Sequence, residues 1–530
     1  MKIISSFSFH FLEEKILSFL KIYRFSFLFA AFYALLATWG NHLHEDDVIR
    51  ASFSGISWFP DGRPLANVIY AFFSFSHNSF YHSYNARFPD LWPLTSLFSA
   101  FQMIISAGLL VNFCLKKETY PSFRQALVLL PLLSPFFLEN ISFHFDSLFF
   151  GSAALFSCLA SVVLWSSITK QQSFNFKNYF FPILAALPFL LACLMTYQAA
   201  INIYLGFALF AGCYCLTFEK IPLITVIKYL SMSAVGFIIA SLIYKAVIPI
   251  KGEWVSSHTV FATPLNLYAT LCNNIIMFQK MLFRVLGTPL YFSLKFLLLS
   301  SFFISLFYIL FSKSKYFTKL FASLCLLTLP LITLGGLMLA LEKPIPAPRV
   351  FFGTDFTFLF SALFLCKITE RCPLSGPSSH DRILTYALSS LLLFPCYIGA
   401  TEWNHALIAD QKIALITALR LQPDLEKASL LYPNAKLATD GPAKNALESQ
   451  YDATFNPILS EWGASSILNS HFGLYFLANN EIWSLEKILL PWERLPNEKD
   501  YIPKKHYKLL AHTKNYDLHG NEELIWIKFK

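Results

Sequence analysis

This sequence predicts a mainly α, polytopic bundle of membrane-spanning helices, followed by a C-terminal soluble α/β or α+β domain. Three observations carry that prediction. The 530 residues are 55% hydrophobic and only 14% charged, where a soluble domain carries about 25% charged residues. The shortage of charge lies before residue 400, after which Lys, Glu and Asp return at soluble density. Apolar runs of about 20 residues, the length that crosses the hydrocarbon core, recur through that first part. We therefore divide the chain into a transmembrane domain, 1–400, and a soluble domain, 401–530.

Lys2, Lys15, Lys21 and Arg24 precede a long apolar run beginning at Phe25. The run is too long, and the cleavage pattern too poor, for a removed signal peptide, so it reads as an uncleaved signal anchor. About eleven spans follow from hydropathy: 25–40, 94–115, 125–141, 147–169, 179–196, 199–217, 229–249, 289–311, 320–341, 350–366 and 383–400. Tyr197-Gln198 is the divider within 179–217. The shorter, polar-spotted segment 64–80 reads as an interfacial helix inside a first long loop, 41–93. The tail opens with an amphipathic helix from about Glu402 to Leu431, stopped near Pro433-Asn434. Pro457, Pro491 and Pro503 punctuate short segments after it, and Leu524–Phe529 reads as a terminal strand.

The formal net charge is +9, but the cations lie in short connections between spans, where they set orientation, and no nucleic-acid-binding module is visible. One set of loops holds Lys116, Lys117, Arg124, Lys170, Lys177, Lys220, Lys228, Lys313, Lys315, Lys319, Lys367, Arg371 and Arg382. The other spreads Arg50, Arg63, Arg87, Lys251, Lys280, Arg284, Lys343 and Arg349 over much longer segments. The denser set faces the cytoplasm together with the N-terminus. An odd number of spans then puts the C-terminal domain outside, which in a bacterium is the periplasm. The ten cysteines fall in or beside apolar spans, and Cys213-x-Cys215 inside a span reads as packing.

Four polar constellations fall on that outer side. The first is His42-x-His44-Glu45-Asp46-Asp47-x-x-Arg50, continuing to Asp61-Gly62-Arg63-Pro64-Leu65. A glycosyl transfer needs a carboxylate to take the acceptor proton and a cation to hold a departing phosphate. Both residue types occur here within about 20 positions. The plainer reading is a solvated loop with an Asp cap opening a helix. His42-x-His44 lacks helical spacing for a metal site. The second is Glu139-Asn140-Ile141-Ser142-Phe143-His144-Phe145-Asp146-Ser147, six polar side chains at a membrane boundary. A sugar or phosphate, or simply a cap with interhelical hydrogen bonds, would satisfy them. Thr196-Tyr197-Gln198 with Asn202 is the third. The fourth is the stiff, proline-rich connector Glu342 to Arg349, which holds Arg349 at headgroup depth, where a plain Arg would also snorkel.

Asp46-Asp47-x-x-Arg50 to Gly62-Arg63-Pro64-Leu65, Glu139-Asn140 to Phe145-Asp146-Ser147, Tyr197-Gln198-Ala199-x-Ile201-Asn202 and Pro348-Arg349-Val350 together resemble the type II serotype-converting O-antigen glucosyltransferase family. Order and spacing match along about 400 residues; the tail matches only weakly, and nothing is carried over there. The resemblance implies a multi-span, GT-C-like inner-membrane glycosyltransferase. Its donor would be an undecaprenyl-phosphate-linked sugar, and its acceptor the O-antigen polysaccharide of lipopolysaccharide on the periplasmic face. It also implies that the acids of the first outer loop are the catalytic centre: Asp46 and Asp47, with Glu45 adjacent. Which of them is the base stays open.

The expectation is an inverting, lipid-carrier-dependent glucosyltransferase. Asp46 or Asp47 deprotonates the acceptor hydroxyl, and Arg63 and Arg349 hold the donor phosphate, with Arg50 beside them. Glu139, His144 and Asp146 shape the sugar site, and Tyr197 and Gln198 line it. Two Arg suffice for the phosphate, so no cofactor is expected, with a divalent metal as the less favoured option. The partners are the lipid-linked donor, the polysaccharide acceptor and the bilayer, with no nucleic acid. A transporter or flippase of lipid-linked sugars is the rival, but it would want ionisable groups deep in several spans and internal repeats. An O-antigen polymerase or ligase is a second rival, and a receptor with an outer binding tail is a third.

Overall fold

The computed structural model describes residues 9–43, 46–52, 57–76, 88–115, 121–169, 176–248, 258–370, 377–459, 468, 470–489 and 507–530. Glu45, His44, the end of the expected interfacial helix (77–80), Pro491, Pro503 and the orienting cations Lys116, Lys117, Lys170, Arg87, Lys251 and Arg371 lie outside the described residues.

The chain is mostly helical. The first half comprises α1 (Phe9–Thr38), α2 (Asp46–Ser52), α3 (Pro64–Ser74), α4 (Leu94–Cys114), α5 (Pro121–Leu127), α6 (Phe137–Ser142), α7 (Ser147–Thr169), α8 (Phe176–Thr196), α9 (Ile201–Tyr214) and α10 (Leu223–Val247). Then come α11 (Leu267–Leu286), α12 (Phe292–Phe311), α13 (Tyr316–Leu334), α14 (Phe352–Thr369), α15 (Pro377–Leu388) and α16 (Phe394–Leu431). The tail adds β1 (Lys436–Asp440), α17 (Leu447–Phe455), α18 (Ser470–Asn479), β2 (Lys508–His512), β3 (Tyr516–Gly520) and β4 (Leu524–Phe529).

Among the described residues, nine helices are long and apolar enough to cross a membrane. Of the eleven expected spans, the 179–196 run is α8, whose apolar part is Phe180–Thr196. The 125–141 run is a correction: it is no single helix. α5 ends at Leu127, residues 128–136 pass through successive turns, and α6 resumes at Phe137, all of them buried. Pro131 and Pro135 remove two backbone donors, and a broken backbone survives at this depth because protein, not lipid, surrounds it.

Helix α7 lies between α4 and α8, while α9 is enclosed by α7, α10, α13 and α14. Helices apolar on every side are the ones buried in this way. Close approach is built from small residues: a Cβ on Gly151 of α7 would sit 2.7 Å from the Ser99 Cα of α4. At the rim, Leu28 and Phe32 of α1, Leu242 of α10 and Phe303 and Phe307 of α12 stay exposed, as lipid-facing side chains do.

Three further differences from the sequence reading bear on function. α3 stops at Ser74, where Phe75 turns left-handed at φ 53°. Its exposed face is apolar, with Val68, Phe72 and Phe75. The connection between α10 and α12, where hydropathy placed no span, contains α11, whose buried face includes Asn274, Phe278, Met281 and Val285. Residue 400 falls inside α16, which joins α15 through a π-turn at Ser389–Leu393 and continues as one helix into the tail.

The tail sheet has strand order β1-β4-β3-β2, with β1 parallel to β4 and the other neighbours antiparallel. Ala414, Ala418, Leu421, Leu425 and Ala428 make a buried stripe along α16 at alternating spacings of four and three, and it packs into the sheet core. Leu43 and Ile49 pack against that core and Val48 lies within it, so α2 belongs to both parts of the molecule.

Candidate active site

Helix α2 opens on Asp46 and Asp47, where carboxylates favour the positive helix terminus. The i, i+3 spacing turns Asp47 and Arg50 toward the bundle, while Val48 faces the tail, its carbonyl accepting from the Asn479 amide at 2.9 Å. Asp47 is fully buried and accepts the backbone N–H groups of His144 (2.9 Å) and Phe145 (3.2 Å). Burial pushes its carboxyl up to about 7, against the pull of His144 and these two donors. Asp46 is half-buried.

Arg50 pairs with Asp146, Nε to Oδ1 at 3.0 Å, and lies over the Trp58 ring at 4.5 Å. The Trp58 indole donates to the same Asp146 oxygen at 2.7 Å. Tyr70, Phe88 and Phe149 surround that indole. A tight turn follows: Asp61 N–H and Arg63 N–H both donate to the Trp58 carbonyl, and Gly62 takes φ 75°, a conformation open to glycine. Asp61 is half-buried, and no hydrogen bond to its carboxyl is found among the described residues. Burial raises this carboxyl above the usual range, although Arg63 and Arg50 pull it down.

The other wall comes from distant spans. The Arg63 guanidinium stacks over Tyr197 at 4.7 Å. Gln198 Nε2 donates to the Tyr244 hydroxyl (2.7 Å), which donates to the Gly62 carbonyl (2.8 Å). Glu139, nearly fully buried, accepts from the Arg349 backbone N–H (2.9 Å) and Nη1 (3.2 Å). The Arg349 guanidinium also sits 5.7 Å from the Phe143 ring. His144 stacks on Trp92 and contacts Asp90 through Nδ1 at 2.8 Å, while its buried Nε2 finds no partner among the described residues. The Asp90 carboxyl loses water at this contact, which alone would raise it, yet the His144 hydrogen bond holds it below its ordinary value.

The four constellations read from the sequence thus meet in one cluster. It brings together Asp46, Asp47, Arg50, Arg63, Glu139, His144, Asp146, Tyr197, Gln198 and Arg349; Glu45 lies outside the described residues. Asp47 holds the 144–145 turn and Asp146 holds Arg50 and Trp58, so these two acids are engaged in building the cleft. Asp46 and Asp61 are half-exposed, and Asp90, held by His144, is more open still. The sequence reading passed over Asp61 and Tyr244. Asp61 stood in a noted motif, but its arginine neighbours come from two segments; Tyr244 sits in an ordinary-looking span and gives no signal. Among the described residues, no group of three or more His, Cys, Asp or Glu is arranged to hold a metal ion. Acids beside guanidinium groups at the end of an apolar bundle can accept a proton and face an anion in one place.

Comparison with known proteins bears on this site. The family described as "Glucosyl transferase GtrII" matches residues 22–364, well over half of the chain and all of the cluster above. A Salmonella phage P22 protein described as an uncharacterized 55.3 kDa protein in the gtrB 5' region is 24% identical over 263 residues. That alignment covers 48% of this chain and 49% of the phage protein, so the chain spans about half the length of this relative. No solved structure matches.

Proposed function

The chain belongs to the glucosyl transferase GtrII family, and from that premise we propose that it is a membrane-embedded glycosyltransferase that moves a glucosyl unit from undecaprenyl phosphate to O-antigen repeats of lipopolysaccharide. The transfer takes place on the periplasmic face of the inner membrane and alters serotype. One observation supports this reading above the others: half-exposed acids, Asp46 and Asp61, stand beside Arg50 and Arg63 at the mouth of an apolar bundle. A lipid-borne phosphate and a water-borne sugar hydroxyl can both reach that place.

In this proposal the acceptor hydroxyl attacks the sugar C1 with inversion. Asp46 takes its proton, with Asp61 the alternative base, while the C1–O bond breaks and its electron pair leaves on the carrier phosphate. Arg63 and Arg349 face the charge that develops on that phosphate. The His144 ring, Tyr197 and Gln198 shape the sugar site, and Asp47, Glu139 and Asp146 hold the donors and turns in position. The C-terminal domain approaches the polysaccharide.

The test is incorporation of labelled glucose from undecaprenyl phosphate in membranes carrying the protein, with mass analysis of the product. One hexose added per repeat supports the reading. Unchanged repeats with altered chain length, or carrier translocation without transfer, would overturn it.

A further inference from the structure

Helix α17 belongs to the tail by sequence, but the membrane bundle holds its end. Its contacts run along α16 in antiparallel order. Asp410 accepts from the Ala446 N–H (2.8 Å) and the Ser449 hydroxyl (2.6 Å), His405 meets Asp452 at 3.3 Å, and Asn456 donates to the Gly399 carbonyl at 3.0 Å. Each turn of α17 thus moves back toward the spans. After Asn456 the chain enters the bundle. Ile458 and Leu459 are fully buried in the large core that the spans form, and Ala453 packs against that core, whereas the sheet has a core of its own. Gly399 lies where α16 leaves the apolar region, just past the exposed Ile398, and the Tyr291 hydroxyl beside the start of α12 lies against it. Helix α1 ends close by, since the Gly40 N–H donates to Asn404 at 3.0 Å, and Trp39 is exposed there.

Leu447, Tyr451 and Phe455 are spaced by four along α17, so they share one face, and that face is 83%, 65% and 51% exposed at the three positions. We propose that Tyr451 and Phe455 lie in the lipid headgroup layer on the tail's side of the bilayer and hold the C-terminal domain against the membrane. The layer is about 5–8 Å deep. At a rise of about 1.5 Å per residue, Tyr451 stands about 6 Å and Leu447 about 12 Å beyond Phe455. The two aromatic rings therefore fall within the layer, where such rings gather, and Leu447 stands past it. The surface continues the lipid-facing rim made by Phe394 and Ile398 of α16, Phe292 of α12 and Trp39 of α1. A polysaccharide fits this face less well: Tyr451 and Phe455 meet edge to face, 5.1 Å apart at 64°, and so do not offer a sugar ring one flat platform. The inference goes beyond the transfer reaction and does not depend on it.

The experiment places photoreactive benzoylphenylalanine at Phe455, Tyr451 or Leu447, one position at a time, in the full chain. The protein is reconstituted in vesicles of an equal mixture of phosphatidylethanolamine and phosphatidylglycerol, with purified lipopolysaccharide added, and adducts are read by mass. Phospholipid adducts are expected at Phe455 and Tyr451 in several-fold higher yield than at Leu447. Thr454, exposed on the same turn, takes the probe if replacement at Phe455 or Tyr451 unfolds the chain. Equal yields at all positions, a higher yield at Leu447, or adducts to lipopolysaccharide or to a second copy of the chain in place of phospholipid would overturn the proposal.

Discussion

Replacing both partners of the Arg50–Asp146 pair should destabilise the protein by clearly less than the sum of the two single replacements. The two side chains are 9% and 5% exposed, and Nε lies 3.0 Å from Oδ1. At about 4 Å and an effective dielectric near 20, such charges attract by about 4 kcal/mol, much of it offset by desolvation. Breaking a buried pair from one side costs about 3–5 kcal/mol, because the remaining charge has no counterion. Arg50→Met leaves Asp146 with the Trp58 indole alone, at the upper part of that range. Asp146→Asn keeps an oxygen for Trp58 and leaves Arg50 near Asp46, Asp61 and Asp47, so roughly 2–3 kcal/mol is expected. The double variant removes both charges, and the cycle should return a coupling energy of about 2 kcal/mol or more. Unfolding in mixed micelles, followed by tryptophan fluorescence, measures all four corners. Additive costs, with coupling under about 0.5 kcal/mol, would refute the view that this pair holds the site together.

Other outcomes are open to direct measurement. Asp46→Asn and Asp61→Asn should leave the fold intact, and whichever removes the base should slow sugar transfer by about 10²–10⁴-fold; full activity in both variants would end the assignment. The Asp47 carboxyl is raised in the folded protein from 3.8 to about 7, so its contribution to stability is greatest below pH 3.8 and is lost as pH rises through 7, by up to about 4 kcal/mol. Asp47→Asn should therefore flatten the fall in Tm between pH 5 and 7.5; an unchanged pH profile would count against this. Tyr244→Phe deletes the hydroxyl between Gln198 and the Gly62 carbonyl and should lower stability by about 1 kcal/mol, with weakened transfer, read by Tm and by label incorporation.

What was legible in the sequence was what local physics dictates. Apolar runs gave most of the spans, Tyr197-Gln198 marked a true break between α8 and α9, and Pro433-Asn434 marked the stop after Leu431. The terminal segment Leu524–Phe529 is β4, with the bounds read for it. The 125–141 run misled because hydropathy reports depth and not backbone regularity, and Pro131 and Pro135 break what composition alone would make continuous. α11 was hidden in a loop, although Leu271, Ile275, Phe278, Met281, Leu282 and Val285 repeat at helical spacing. Site residues were recognisable as types at a boundary, but their pairings were not. Arg50 with Asp146, and Glu139 with Arg349, join positions about 100 and 200 apart, and no local pattern encodes such a match.

The position of α2 has a consequence for how this protein is dissected. Its inward side is pinned by the turn at His144 and Phe145 and by Asp146, and its outward side by Asn479 and the core of the sheet. Shortening the chain after residue 431 would strip one jaw from a vice that grips the acidic helix. A dead truncation would then report a misplaced Asp46 as readily as a lost grip on polysaccharide. Separating the two needs point changes on the far surface of the sheet, with the contact at Val48 left whole.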